Sequence, residues 1–111
     1  MAEIVISSLA HNDLREAADY ISHQLHNQSA ALQIVERIRN SVFRLSDFPE
    51  MGTPVFSGMQ KILYRYLICG NYMIFYHIEG DEVHIDRILY GRRDYLALLF
   101  GDSFVSDENR G

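Results

Sequence analysis

The chain has 111 residues, of which 48% are hydrophobic and 23% charged, with a formal net charge of −5. At this length it forms one domain that buries about two-thirds of its unfolded surface, and the composition excludes a disordered, collagen-like or low-complexity protein. A single cysteine, Cys69, excludes an internal disulfide and a thiolate zinc site, while the acidic balance argues against nonspecific nucleic-acid binding.

Apolar runs such as residues 73–76 are far too short to cross a bilayer, and no charged-then-apolar leader opens the chain. Cytoplasmic residence without a membrane partner is therefore expected. Charge is unevenly spread, with four basic and seven acidic residues in 1–60 but five of each in 61–100. Lys61, Arg65, Arg87, Arg92 and Arg93 leave room for a local basic patch.

Glu3-Ile4-Val5-Ile6-Ser7 reads as a short strand, because its β-branched residues stand between polar ones. The period then changes. Leu14, Ala17, Ala18, Ile21 and Leu25 recur at helical spacing and predict a helix from about residue 9 or 12 to 26, capped by Ser8 or by Asp13 with Glu16. After the polar connector His26-Asn27-Gln28-Ser29, a second stripe runs through Ala31, Ile34, Val35, Ile38, Val42 and Leu45. Ser29 is its expected cap, and Pro49 with a loop through Gly52 and Pro54 ends it.

From Ile62 onward Tyr, Ile and Phe come in runs separated by Gly70-Asn71 and Gly80-Asp81, two hairpin signals. Two-residue loops at both turns place Arg65 opposite Tyr76 and His77 opposite His84 in an antiparallel meander ending near Leu89 or Tyr90. One face carries Leu63, Arg65, Leu67, Ile74, Tyr76, Ile78, Val83, Ile85 and Arg87 and receives the helix pair. The other carries Tyr64, Tyr66, Met73, Phe75, His77, His84, Asp86 and Ile88, which is too apolar to be wholly wet. A short helix containing Leu96, Leu98, Leu99 and Phe100 supplies part of a cover. The expected fold is thus α+β: a strand, a two-helix hairpin, a three-strand antiparallel meander and a short C-terminal helix. It forms one domain over residues 1–100, followed by a polar tail at 101–111.

Unpaired charge is costly against a sheet face, so Arg65 and Arg87 are expected to pair with Asp13, Glu16 or Asp19. His77 and His84, with Asp86 on the same face, invite a metal, but two imidazoles do not make a site and none is expected. No cofactor is expected either.

This order of elements resembles the RelE/ParE toxin superfamily of bacterial toxin–antitoxin pairs. The resemblance rests on Asp13-Leu14, Tyr20-Ile21, Phe48-Pro49-Glu50-Met51-Gly52, Tyr64-Arg65-x-Leu67, Gly70-Asn71-Tyr72-Met73-Ile74-Phe75-Tyr76 and, most specifically, Arg87-Ile88-Leu89-Tyr90-Gly91-Arg92-Arg93-Asp94-Tyr95. It implies a toxin that arrests growth when free and is silenced by a cognate antitoxin, with DNA contacted only through that antitoxin. RelE-like relatives cut messenger RNA on the ribosome and ParE-like relatives poison DNA gyrase. In the ribonuclease branch Arg93 matches a basic residue, with Arg92, Tyr90 and Tyr95 as the other catalytic candidates. Met73, however, stands where that branch has a cation, and Tyr90 where many relatives carry His. The resemblance therefore favours ParE-like inhibition of gyrase, with a RelE-like endoribonuclease or a non-toxic antitoxin-binding relative as alternatives. Target binding falls to Arg92, Arg93, Lys61 and Arg65, and antitoxin binding to Tyr66, Met73 and Phe75.

Overall fold

The computed structural model describes residues 1–57 and 59–91, with backbone alone at 57 and 60–62. Strand β1 (Glu3–Ile6) leads directly into helix α1 (Ser8–Asp19), and the cap is Ser7 rather than Ser8: its Oγ accepts from the Ala10 N–H at 3.0 Å. The Asp13–Glu16 capping box does not form, because Asp13 already lies inside the helix. The coil then widens into a π-helical turn, Tyr20–Gln24, and leaves through His26, whose φ of 52° is left-handed. Helix α2 (Gln28–Arg44) starts at Asn27, whose Oδ1 accepts from Ala30 N–H at 2.9 Å and takes the role expected of Ser29.

Strands β2 (Thr53–Ser57), β3 (Gln60–Cys69), β4 (Tyr72–Glu79) and β5 (Glu82–Tyr90) join β1 in one sheet of order β1-β5-β4-β3-β2. β1 runs parallel to β5; the other neighbours are antiparallel. Where a loop through Gly52 and Pro54 was expected, β2 forms an edge strand. An edge tolerates Pro54 because its missing N–H costs no ladder bond, and the register slips between Pro54 and Phe56.

Within β3–β4–β5 the pairing is as the turns dictate, with Arg65 opposite Tyr76 and His77 opposite His84. Gly70 and Gly80, at φ of 61° and 60°, occupy the first positions of the two turns, where only glycine is unstrained. A bulge in β5 breaks the alternation. Tyr76 pairs with Ile85 but Phe75 with Arg87, so Asp86 is the extra residue. Beyond it the phase of β5 reverses, and Ile88, expected on the far face, enters the core opposite Ile74.

The core lies between the helices and this sheet face: Ala10 and Ala17 from α1, Ile38 and Val42 from α2, Ile74, Tyr76, Val83, Ile85 and Ile88 from β4 and β5. Tyr76 is wholly buried, and its hydroxyl donates to the Pro49 carbonyl at 2.7 Å while accepting from Gly52 N–H at 2.9 Å. The expected C-terminal helix and the tail at 101–111 lie outside the described residues.

Candidate target-binding cleft

The bulge that redirects β5 also fixes α1. Ser7 N–H donates to the Ile85 carbonyl at 3.0 Å and the Ser7 hydroxyl donates to the Asp86 carbonyl at 2.9 Å. Nearly two turns on, the Asp13 carboxylate accepts from Arg87 Nε at 2.8 Å, from the other arm of that guanidinium at 3.0 Å, and from Ile88 N–H at 2.9 Å. Three charge-assisted bonds on one carboxylate with 8% of its side chain exposed hold helix and strand together. The bond to Asp13 raises the Arg87 pKa above its ordinary value, outweighing the cost of partial burial. Of the two arginines expected to pair with an acid of α1, Arg87 does so. Arg65 instead donates to the carbonyls of Gly52 at 2.8 Å and Glu50 at 3.1 Å.

Beside this pair opens a cleft of about 480 Å³, lined by Asp13, Glu16, Tyr20, Tyr72, Arg87 and Tyr90 among others. Tyr72 and Tyr90 face each other across β4 and β5, rings edge to face at 5.3 Å. Tyr72 is buried and Tyr90 is 65% exposed. Burial, then the neighbouring phenols of Tyr90 and Tyr20, push the Tyr72 pKa above the usual phenol value, so its hydroxyl keeps its proton. Tyr20, Tyr72 and Tyr90 also line a second depression reaching Arg37 and the β3–β4 turn. No histidine lines the main cleft among the described residues. At its end Gly91, with a φ of 79°, donates to the Asn71 carbonyl at 2.7 Å.

Of the residues expected to act, the structure brings Tyr90 into this cleft and sets Arg65 on the turn at 50–52. Arg92, Arg93 and Tyr95 lie outside the described residues, as does the Lys61 side chain; the Lys61 backbone pairs with Phe56. Met73 and Phe75 are buried, and Tyr66 is half-buried with its ring 6.0 Å from that of Phe75. Sequence reasoning missed Tyr20 as a cleft residue, and read Tyr72 as a packing or base-stacking tyrosine of the sheet. The signal was available for Tyr20, since Asp13, Glu16, Ala17 and Tyr20 follow a helical spacing along one edge of the apolar stripe.

The architecture is an α+β domain, two helices against one face of a mostly antiparallel sheet. Residues 4–95 match the family model described as ParE toxin of type II toxin-antitoxin system, parDE, and the chain belongs to that family. A solved structure, the chromosomal ParDE toxin–antitoxin system from P. aeruginosa, is similar at a TM-score of 0.69 and 21% identity, covering 83% of this chain and 98% of that one. The RelB–RelE antitoxin–toxin complex from Methanococcus jannaschii matches at a TM-score of 0.45 and 19% identity, covering 86% and 98%. No curated protein matches the chain. Membership implies a cognate antitoxin as partner, and no helix among the described residues is long and apolar enough to cross a membrane.

Proposed function

We propose that this chain arrests growth by binding and blocking DNA gyrase, and not by cutting RNA. The observation that carries the reading is the composition of the cleft beside β5. Cleavage at a 2′-hydroxyl needs a base to take its proton, and imidazole is the side chain suited to that near neutrality. The described wall offers phenols, of which Tyr72 is held protonated, and two carboxylates, of which Asp13 is committed to Arg87. Met73, where the ribonuclease branch of the superfamily has a cation, is buried at 4% exposure. Such a surface suits recognition of a protein by aromatic and guanidinium side chains. Arg92 and Arg93, following β5 in the chain, are the proposed target contacts, and Lys61 on β3 is a further one. Arg65 contributes by holding the turn at 50–52.

The cognate antitoxin is proposed to cover the half-buried Tyr66, over Met73 and Phe75, together with the exposed apolar side chains of the helix pair. Induction of the chain with paired readouts of plasmid supercoiling and transcript ends tests the target. The expected result is loss of supercoiling and DNA-damage signalling while transcripts stay whole. Codon-phased transcript cleavage with unchanged supercoiling would overturn it and install the ribonuclease alternative.

A further inference from the structure

The far face of the sheet carries a group of titratable side chains that the cleft does not use. Residues 77–86 hold four acids, Glu79, Asp81, Glu82 and Asp86, two histidines and no lysine or arginine. Alternation along the β4–β5 hairpin sends His77, Glu79, Glu82 and His84 to one side, and the bulge adds Asp86. The His77 and His84 rings lie nearly parallel, 17° apart with centroids separated by 5.0 Å.

Each ring nitrogen of His77 faces a carboxylate oxygen at 2.6 Å: Nδ1 faces Asp86 and Nε2 faces Glu79. A neutral imidazole has one N–H, so it can donate to only one of them. The other contact is held by a second proton, which a metal ion taking that nitrogen would displace. Nδ1–H given to Asp86 leaves Nε2 as the ligating atom, the arrangement by which carboxylates orient metal-bound histidines. Ligand atoms of His77, Glu79 and His84 all lie within 4.8 Å of one another. His84 Nε2 is 3.9 Å from Glu79 and 2.9 Å from Glu82.

We propose that His77, His84 and Glu79 form a binding site for a divalent transition-metal ion of the zinc type, stapling the β4–β5 hairpin. Two imidazoles and one carboxylate suit Zn²⁺, Ni²⁺ or Cu²⁺, whereas Mg²⁺ and Ca²⁺ demand oxygen ligands. Zinc bonds of about 2.0–2.2 Å to nitrogen and oxygen need the 2.6 Å contact of His77 with Glu79 to open. Glu79, 61% exposed, can swing outward to allow this. His84 must exchange Glu82 for the metal, and a fourth position is left for water.

Titration of the full-length, tag-free chain with ZnCl₂ by calorimetry, alongside thermal melts, tests the site. The expected outcome is one Zn²⁺ per chain and a melting temperature that rises with Zn²⁺ but not with Mg²⁺. Glu79→Gln and His84→Gln each weaken binding at least tenfold, while their metal-free melting temperatures stay close to that of the parent. Absence of saturable Zn²⁺ binding would overturn the proposal. So would equal affinity in the Glu79→Gln/His84→Gln double variant, because the metal would then sit on His11, His23 or His26.

Discussion

Asp13 is the side chain on which most of the α1–β5 junction converges. Replacing it with Asn keeps the shape but removes the charge that both arms of Arg87 and the Ile88 N–H share. Leaving a partly buried guanidinium without its partner costs about 2–3 kcal/mol. Asp13→Asn should lower the urea midpoint accordingly, and a loss under 0.5 kcal/mol by the same measure, within the roughly ±0.5 of an ordinary surface change, would show the pair to be ornamental. Tyr76 gives a second residue-scale test, this time with pH. Burial raises its pKa above 10, with the Gly52 hydrogen bond and Arg65 opposing and Glu50 adding to the rise. A group raised on folding contributes its stability fully below the unfolded value, near 10, and loses it as pH climbs toward the folded one. Stability should fall above about pH 10, and Tyr76→Phe should make that fall shallower by up to about 1.4 kcal/mol per pH unit in alkaline denaturation series. The sequence placed Tyr76 on the helix-covered face but could not show its two hydrogen bonds, because Pro49 and Gly52 lie more than twenty residues away.

At the scale of elements, turn chemistry carried more information than capping chemistry. Gly70-Asn71 and Gly80-Asp81 fixed the register of three strands, since each glycine stands where a left-handed φ is required. Serines were less informative: Ser7 and Ser8 are adjacent and either can cap, and only the Asp86 carbonyl at the bulge selects Ser7. The bulge itself left no glycine to mark it, so strict alternation put Ile88 on the wrong face. β2 was hidden by Pro54, which reads as a loop residue until the strand proves to be an edge. The glycines can be ranked by what surrounds them. A Cβ at Gly80 meets nothing within 4 Å, so Gly80→Ala bears only the left-handed backbone cost of about 1–2 kcal/mol. A Cβ at Gly52 would stand 2.5 Å from the Tyr76 hydroxyl and 2.9 Å from the Tyr66 carbonyl. Gly52→Ala should therefore be the more damaging of the two in denaturant titration, by loss of the Tyr76 anchor as well as by collision.

For the whole molecule, the two helices close one face of the sheet and still leave apolar side chains outside. Leu32 and Phe43 are 68% and 58% exposed, and three turns of α2 separate them, so they share one outward stripe. The sequence pointed to an antitoxin because apolar surface was left over, on the sheet at Tyr66, Met73 and Phe75 and on the helix pair; the folded chain buries Met73 and Phe75 and leaves Tyr66 half-buried. The apolar side chains that remain exposed on α2 are the proposed seat of an amphipathic partner. With the target assigned to Arg92 and Arg93 and the antitoxin to α2, the two proposed contacts should separate genetically. Arg92→Ala/Arg93→Ala should abolish growth arrest while the purified variant still captures the antitoxin with unchanged affinity. Leu32→Glu/Phe43→Glu, altering only exposed side chains, should keep growth arrest but weaken antitoxin capture at least tenfold, so that co-expression no longer rescues growth. Rescue as complete as that of the parent would move the antitoxin off α2, and full toxicity of the folded arginine variant would remove those guanidiniums from target recognition.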